Sequence, residues 1–210
     1  MAKANLSGKV LSPARLAHVV LRTPELKPML EFYKTFLGAH VVAGNESISF
    51  LTYDDEHHRI AIVEVPSCGD KNRMSAGLDH ISFTFETLDD LTTAYQQRKA
   101  HGILPVWCVN HGPTTSMYYQ DPDGNILETQ VDNFSTAEES IEFMVSPEFA
   151  ENPIGADFDP EELIRRLKSG ALEKELIKRP VIGPRGLEGS PLLNLPLPAR
   201  ERNGVVKNSV

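Results

Sequence analysis

Two stretches of the chain repeat one order of hydrophobic and polar positions. The first, residues 15–66, opens with an extended apolar run, LAHVVLRT, and then shifts to the spacing of one helical face. That face consists of Leu26, Met29, Leu30, Tyr33, Phe36 and Leu37. Gly38 follows as a helix stop, and three strand-like runs come next: AHVVAG, ISFLTY and HRIAIVEV. This order predicts a βαβββ module.

The second stretch, residues 78–134, has the same order. It begins with the run LDHISFTF and continues with a helix from Leu88 to Ala100 that Gly102 ends. Three strands follow at LPVWCV, TSMYYQ and NILETQV, with DPDG as the turn before the last. The repeat predicts an α+β fold in which paired βαβββ modules form a curved, half-open, barrel-like sheet. We expect residues 1–134 to form a single domain.

Two histidines occupy matching positions in the repeat. His18 and His80 lie in the first strands of the two modules, and their numbers differ by 62. Because side chains alternate between the faces of a strand, His80 shares a polar face with Ser82 and Thr84, opposite an apolar face that should pack under the helix. Glu128 lies in the last strand. Two histidines and one carboxylate are the ligand set of the Fe(II) facial triad, so the sequence predicts a metal site at His18, His80 and Glu128.

Composition and charge exclude several classes of protein. The 210-residue chain is 40% hydrophobic and 24% charged, which is typical of a globular protein. A net charge of −8 without a Lys/Arg stripe argues against nucleic-acid binding, and no apolar run approaches the roughly 20 residues that span a bilayer. The start, MAKANLSGKVLSPARL, lacks the apolar core of a secretory signal, and the two cysteines, Cys68 and Cys108, form no CxxC pair. We therefore expect a cytoplasmic protein without a nucleic-acid or membrane partner.

One segment, residues 109–128, carries the most specific motif of the chain. Its sequence is VNHGPTTSMYYQDPDGNILE, and its spaced positions are His111, Met117, Tyr118, Asp121, Pro122, Gly124 and Glu128. In these positions the chain resembles the type I extradiol catechol dioxygenases of the vicinal oxygen chelate superfamily, and the likeness to that superfamily covers residues 15 to about 134. The pair His57-His58, ahead of an apolar strand, is similar to that family's HH-x-[apolar]-A segment.

The resemblance implies a metal and a function. His18, His80 and Glu128 match the iron ligands of the family. Extradiol dioxygenases use Fe(II) to cleave a catechol-like aromatic ring with O2, so the expected substrates are an aromatic diol and O2. The resemblance therefore implies an iron-dependent oxidoreductase of aromatic compound catabolism.

The resemblance also implies three catalytic residues. His58 matches the acid/base histidine, and His111 with Tyr118 match residues that contact the substrate or the leaving oxygen. These roles are chemically coherent, because histidine titrates near neutral pH and a tyrosine hydroxyl can donate a hydrogen bond to a developing oxyanion. His57 is expected to be a turn or support residue.

Glu64 leaves a second function open. Its number is 64 below that of Glu128, the same difference as between Gly38 and Gly102, and glyoxalase-like members of the superfamily use a glutamate from each module. His58 and Glu64 lie too far apart along one extended strand to serve the same metal. A site with Glu64 would indicate a glyoxalase- or epimerase-like lyase or isomerase that uses Zn, Ni, Co or Mn. A third alternative, a metal-free small-molecule binding protein similar to the antibiotic-sequestering members, needs no set of two histidines and a glutamate.

Residues 135–210 form a C-terminal extension beyond the modules. Asp159, followed by Pro160 and the acidic Glu162, predicts the start of a helix through LIRRLKSG, and LEKELIKR predicts a second short one. From Pro180 onward the chain is rich in proline and leucine, which indicates an extended arm. We expect the arm to pack on the modules or on a second protomer of a homo-oligomer and to cover part of the metal site.

Overall fold

The fold is that of a computed structural model, which describes residue 8 and residues 10–199. The residues outside this range include part of the start that lacks an apolar core and the last part of the predicted arm, residues 200–210. No helix among the described residues is both long enough and apolar enough to cross a membrane.

The chain divides into two compact units, residues 1–68 and residues 69–210. The boundary falls in the segment that joins the two predicted modules. The grouping of residues 1–134 into one domain stays a prediction.

The first unit contains one βαβββ module, as the sequence pattern predicts. Its elements are β1 (Val19–Thr23), α1 (Leu26–Leu37), β2 (His40–Gly44), β3 (Ile48–Thr52) and β4 (Ile60–Glu64). The strands form an open sheet of order β1-β4-β3-β2, in which β1 and β4 are parallel. Four residues of the predicted helical face are buried: Leu26, Met29, Tyr33 and Phe36. Gly38 ends α1 with a φ of 63°, a left-handed conformation that glycine adopts without a steric penalty.

The second unit begins with the second βαβββ module. Its elements are β5 (His80–Thr84), α2 (Leu88–Ala100), β6 (Trp107–Asn110), β7 (Thr114–Gln120) and β8 (Ile126–Asp132). The sheet has the order β5-β8-β7-β6-β9, because a short strand of the extension, β9 (Ala156–Asp157), pairs with the outer edge of β6. The α+β class and the two modules are confirmed, with their strands in two open sheets.

The strand registers correct the equivalence of Glu64 and Glu128. Two residues after the matching histidines, Val20 pairs with Ala61 in the first module and Ser82 pairs with Glu128 in the second. The first-module counterpart of Glu128 is therefore Ala61. The carboxylate of Glu64 instead accepts the first backbone N–H of α1 at 2.7 Å, which satisfies a donor that the helix itself leaves unpaired.

One face of the second sheet packs against α2. Met117, Tyr119 and Leu127 are fully buried on this side. The guanidinium of Arg98, on α2, lies 5.2 Å from the centroid of the Tyr119 ring and donates to the Thr129 hydroxyl at 3.4 Å. This apolar layer leaves the opposite face of the sheet for polar side chains.

The C-terminal extension is built onto the second module. It contains α3 (Ala137–Met144), α4 (Pro147–Glu151), β9, α5 (Pro160–Lys168) and α6 (Glu173–Leu176), followed by 3-10 turns at Leu187–Gly189 and Pro191–Asn194. The two predicted helices are confirmed as α5 and α6. Asp159 caps α5 by accepting the backbone N–H of Glu161 at 2.9 Å. The sequence pattern missed α3, α4 and β9, which have eight, five and two residues.

The C-terminal arm packs on the second module. Leu192 and Leu195 lie against a buried apolar cluster. Its members are Trp107, Val109, Tyr118, Ile126 and Ile154. The Arg73 side chain donates to the carbonyl of Leu195 at 2.9 Å, and Gln120 donates to the next carbonyl at 3.1 Å. Packing of the arm on a module is therefore confirmed for these residues, whereas contact with a second protomer stays a prediction.

Candidate active site

The face of the second sheet opposite α2, the site face, carries a row of polar and aromatic side chains. The strand registers set Ser82, Glu128, Tyr118 and Trp107 side by side across β5, β8, β7 and β6. His80 lies two residues before Ser82 and therefore on the same face of β5. The predicted polar face of the second module is confirmed.

Glu128 is a buried carboxylate at the centre of the site face, with 5% of its surface exposed. Its Oε2 lies 3.1 Å from Nε2 of His80. Burial alone would raise the pKa of the carboxyl, but hydrogen bonds from His80, Ser116 and Ser82 lower it to about 2. Glu128 therefore stays ionised at neutral pH, as a ligand for a cation must.

His80 has a carboxylate at each ring nitrogen. Nε2 faces Glu128, and Nδ1 lies 2.7 Å from Oδ2 of Asp79. The hydrogen bond to Glu128 raises the pKa of His80 to about 9 against the opposing effect of burial, and Asp79 adds to the rise. Metal-binding histidines commonly direct their second ring nitrogen to a carboxylate in this way. A metal ion on Nε2 would replace the proton that His80 shares with Glu128.

The donor set of this pair fits a divalent metal ion. An imidazole and an ionised carboxylate 3.1 Å apart match two of the three ligand types of a facial triad. The third predicted ligand, His18, belongs to the first unit. Among the described residues, no three His, Cys, Asp or Glu side chains are grouped closely enough to form a complete metal site. The convergence of His18 with His80 and Glu128 stays a prediction.

His111 and Tyr118 form a hydrogen-bonded pair beside Glu128. Nε2 of His111 lies 2.9 Å from the Tyr118 hydroxyl, and Nδ1 lies 2.5 Å from the carbonyl oxygen of Ile154. Burial raises the pKa of Tyr118, with the negative charge of Glu128 adding to the rise. Burial lowers the pKa of His111, so both groups are neutral at neutral pH. The ring of Trp107 stacks on Tyr118 with centroids 5.0 Å apart.

In the first unit, His18 and His58 lie together. Their ring centroids are 4.3 Å apart, and Nδ1 of His58 lies 2.6 Å from Nδ1 of His57. His58 lies just ahead of β4, and Arg59 donates to the carbonyls of the two residues before His18, each at 3.0 Å. Burial, followed by the charges of His18 and His57, lowers the pKa of His58. His58 is therefore an uncharged imidazole that can accept a proton near neutral pH.

Sequence reasoning missed three groups that support the site. Trp107, the single tryptophan of the chain, lies in a predicted strand, and strand alternation relative to Tyr118 could have assigned it to the site face. Asp79 directly precedes His80, and an acidic residue beside a predicted metal ligand is a usable signal. Ile154 acts through its backbone carbonyl, which no side-chain pattern reveals.

Proteins of known function resemble this chain. The sequence model of the Glyoxalase/Bleomycin resistance protein/Dioxygenase superfamily matches residues 15–129. Biphenyl-2,3-diol 1,2-dioxygenase 2 of Rhodococcus globerulus is 45% identical over 157 residues, which cover 74% of this chain and 83% of that protein. Biphenyl-2,3-diol 1,2-dioxygenase 3 of the same organism is 48% identical over 167 residues, which cover 79% of this chain and 88% of that protein.

A solved structure shares the fold. The crystal structure of a glyoxylase/bleomycin resistance protein/dioxygenase domain from Frankia sp. EAN1pec has a TM-score of 0.51 at 18% identity, and the match covers 61% of this chain and 98% of that one. The family match extends over more than half of the chain, from the first module into the last strand of the second. The protein therefore belongs to the glyoxalase/bleomycin resistance protein/dioxygenase superfamily.

Proposed function

We propose that this protein is an Fe(II)-dependent extradiol dioxygenase that cleaves the ring of a catechol-like aromatic diol with O2. The observation that carries the proposal is the identity of 45% and 48% to two biphenyl-2,3-diol 1,2-dioxygenases over 74% and 79% of the chain. The site face supports it, because an ionised carboxylate, an imidazole and a neutral phenol lie side by side there.

We assign His18, His80 and Glu128 as the ligands of Fe(II). The short separation of His80 and Glu128, 3.1 Å, and the ionised state of Glu128 support two of these assignments. The position of His18 at the start of β1, matching that of His80 at the start of β5, supports the third. When bound, Fe(II) supplies the electrons that activate O2 and the positive charge that favours a deprotonated diol.

His58 is proposed as the base that accepts a proton from the diol. Its pKa lies below the ordinary value, so the ring is uncharged and available as an acceptor at neutral pH. Two neighbours orient the imidazole: His57 contacts its Nδ1 at 2.6 Å, and the Phe50 ring meets it edge-on with centroids 5.1 Å apart.

Tyr118 and His111 are proposed to handle a substrate or leaving oxygen. Because burial raises its pKa, Tyr118 keeps its proton and contacts oxygen as a neutral hydroxyl. His111, 2.9 Å away, is uncharged and can receive that proton. The pair therefore provides a route for one proton beside Glu128.

The apolar part of the site face favours an aromatic substrate. Trp107, Tyr118 and Ile126 belong to one buried apolar cluster beside Glu128, and Leu192 and Leu195 of the arm pack on it. Flat aromatic and branched aliphatic side chains are typical of the walls of a pocket for an apolar ring. A diol with an aryl substituent, as in the names of the two relatives, is the first substrate to test.

Two observations weaken the alternatives. The carboxylate of Glu64 accepts the backbone N–H of Leu26 at 2.7 Å, and Ala61 occupies the register position that matches Glu128. A glyoxalase-like site needs one glutamate from each module. In the first module, the position that matches Glu128 has no carboxylate, and Glu64 is engaged by the start of α1. A metal-free binding protein would have no need for the orientation of His80 by Asp79.

The test is oxygen consumption by protein purified without air and loaded with Fe(II). We expect O2 uptake and a yellow ring-cleavage product with biphenyl-2,3-diol, 3-methylcatechol or catechol, and no uptake with resorcinol, whose hydroxyls are not adjacent. Protein loaded with Zn(II) is the control for a Lewis-acid activity and should not consume O2. Stoichiometric bound iron without O2 uptake on any adjacent diol would refute the proposal.

The cytoplasmic location and the homo-oligomer are part of the same proposal. Two cysteines that form no CxxC pair support a reducing compartment, and Leu187 and Leu193 of the arm are exposed and available for contact with a second protomer. Sedimentation velocity of the iron-loaded protein measures its oligomeric state. A monomer at micromolar concentration would contradict the proposed homo-oligomer.

A further inference from the structure

A backbone carbonyl of the extension contacts the imidazole ring of His111. Nδ1 of His111 lies 2.5 Å from the oxygen of Ile154, and a carbonyl oxygen can only accept a hydrogen bond. Nδ1 therefore carries the proton, and Nε2 of the uncharged ring is an acceptor for the Tyr118 hydroxyl, 2.9 Å away. One contact from outside the module thus fixes the tautomer of a proposed catalytic histidine.

Asn152 holds the Ile154 carbonyl in position. The buried side-chain oxygen of Asn152 accepts the backbone N–H groups of Ile154 at 3.2 Å and of Gly155 at 2.6 Å. Its amide nitrogen donates to the Gly155 carbonyl at 3.3 Å. β9 begins directly after this turn and pairs with β6 through Ala156 and Asn110. The turn is therefore fixed both internally and to the strand that precedes His111.

Gly155 allows this turn to approach β6. Its φ is 104°, and a Cβ at this position would lie 2.1 Å from the carbonyl oxygen of Asn110 and 2.7 Å from Cα of His111. Both atoms belong to backbone and cannot move aside without shifting β6. A side chain at residue 155 would separate the turn from His111.

Arg179 connects the turn to the backbone of His111. Its Nη1 donates to the carbonyl of Asn152 at 2.7 Å and to the carbonyl of His111 at 3.2 Å. Its Nη2 donates to the backbone and the side chain of Glu148, and the guanidinium lies 4.9 Å from the centroid of the Phe143 ring. The Arg179 side chain is 4% exposed, and it links the backbone of Asn152, two residues before Ile154, to the backbone of His111.

We propose that Asn152, Gly155 and Arg179 are positioning residues: they hold the Ile154 carbonyl against Nδ1 of His111 and keep Nε2 as the acceptor for Tyr118. The inference rests on the proposed dioxygenase function for its effect on turnover. Its structural part, the tautomer of His111, does not depend on that function.

Gly155→Ala is the sharpest test, with Gly170→Ala as the matched control. Both glycines have a left-handed φ, 104° and 85°, but a Cβ at Gly170 meets nothing within 4 Å. The ¹⁵N chemical shifts of the histidine rings in metal-free protein report the tautomer, and His111→Gln assigns the signal. We expect the Nδ1–H tautomer in the wild type and in Gly170→Ala, and a mixture of tautomers in Gly155→Ala.

The Asn152 variants test the same contact with less disturbance of the fold. Asn152→Asp keeps the acceptor for the two backbone N–H groups and should retain the Nδ1–H tautomer, whereas Asn152→Ala should lose it. In iron-loaded protein we expect Gly155→Ala and Asn152→Ala to lower kcat about tenfold with KM changed less than about threefold, because binding of the diol does not require the Tyr118 proton acceptor.

The outcomes separate the inference from the proposed function. Wild-type protein that consumes no O2 with any diol would refute the function and leave the tautomer measurement valid. Active wild-type protein together with Gly155→Ala and Asn152→Ala variants that keep the Nδ1–H tautomer and the wild-type kcat would overturn the positioning role.

Discussion

The two modules differ at the residues that carry chemistry. Phe50 pairs with Ala61 in the first module, and Tyr118 pairs with Glu128 at the matching positions of the second. The first module therefore has apolar residues where the second has a phenol and a carboxylate, and it contributes His18 and His58 to the proposed site instead. This division explains how a repeat gives one proposed metal site rather than two.

Replacing Glu128 by Gln should remove most of the bound iron and lower kcat/KM about 100-fold or more, because an uncharged amide is a poor ligand for a divalent cation. Metal content after desalting and O2 uptake measure the two effects. Glu64→Gln is the matched control: it should keep iron and activity and lower the free energy of unfolding by only about 0.5–1 kcal/mol, the cost of a weakened helix cap. Iron loss in Glu64→Gln with iron kept in Glu128→Gln would indicate the glyoxalase-like alternative.

The two cysteines should differ in reactivity. Burial raises the pKa of Cys108 to about 12, so its thiol stays protonated and unreactive at mildly alkaline pH. Cys68 is partly exposed. Titration of native protein with a thiol-specific disulfide reagent should release one equivalent rapidly at about pH 8 and still only one at about pH 9.5, whereas unfolded protein should release two. Fast reaction of native Cys68→Ser protein would contradict the assignment.

At the scale of single residues, strand alternation is sufficient to predict which side chains share a face of a sheet. His80 and Glu128 meet as the pattern predicts, because directly paired and alternate residues must project to one side of a sheet. The predicted equivalence of Glu64 and Glu128 was wrong. It relied on equal differences in residue number, which do not take account of the register that hydrogen bonding sets between β1 and β4. The Ile154 carbonyl and Arg179 could not be predicted, since their roles arise from contacts more than 40 residues distant in sequence.

At the scale of helices and strands, an element can be predicted from the sequence when its hydrophobic residues recur with a regular period. α1 and α2 have the predicted bounds, because both helices have a clear stop and carry apolar residues on the buried side. In α2, that side also includes Thr92 and Arg98. β9 has two residues and no periodicity of its own, and it forms because β6 offers an unpaired edge. α3 has only eight residues, too few for the repeated apolar spacing that indicates a helix, and none of them is buried.

The arm leucines should contribute to stability according to their contacts. Leu192→Ala and Leu195→Ala should each lower the free energy of unfolding by about 1–2 kcal/mol, because both side chains pack on the cluster that includes Tyr118. Leu193 is the matched control: it is 52% exposed, and its replacement by Ala should change stability by about 0.5 kcal/mol or less. Urea unfolding followed by fluorescence measures all three, and equal effects would show that the arm does not pack as described.

At the scale of the whole molecule, the extension belongs physically to the second module. The Tyr95 hydroxyl of α2 donates to Glu161 of α5 at 2.6 Å, and Glu173 of α6 accepts the Leu88 backbone N–H at the start of α2 at 3.2 Å. Arg185 in the arm pairs with Asp157 of β9 at 2.7 Å. The sequence predicts a separate C-terminal segment, because a repeat defines where modules end and not what packs on them.

Deleting residues 180–210 should lower both the melting temperature and kcat/KM, because the deletion removes Arg185 and the two leucines that cover the Tyr118 cluster. We expect a fall of about 5 °C or more, which corresponds to roughly 2 kcal/mol for a chain of this size. Leu193→Ala is the control, since the side chain of Leu193 in the arm is 52% exposed. Differential scanning calorimetry and O2 uptake measure the effects, and a 180–210 deletion indistinguishable from wild type would exclude a role for the arm.

The two-residue strand β9 also has a consequence for solubility. By pairing with Val109 and Asn110, it occupies the outer edge of β6, which would otherwise offer free backbone groups to a neighbouring chain. The corresponding edge of the first sheet, β2, has no such cover among the described residues, but its ladder with β3 is interrupted by an irregularity between Val41 and Ala43. Truncation ahead of residue 156 would therefore promote aggregation through the uncovered edge of β6, whereas the irregular edge of β2 is a poorer template for strand addition.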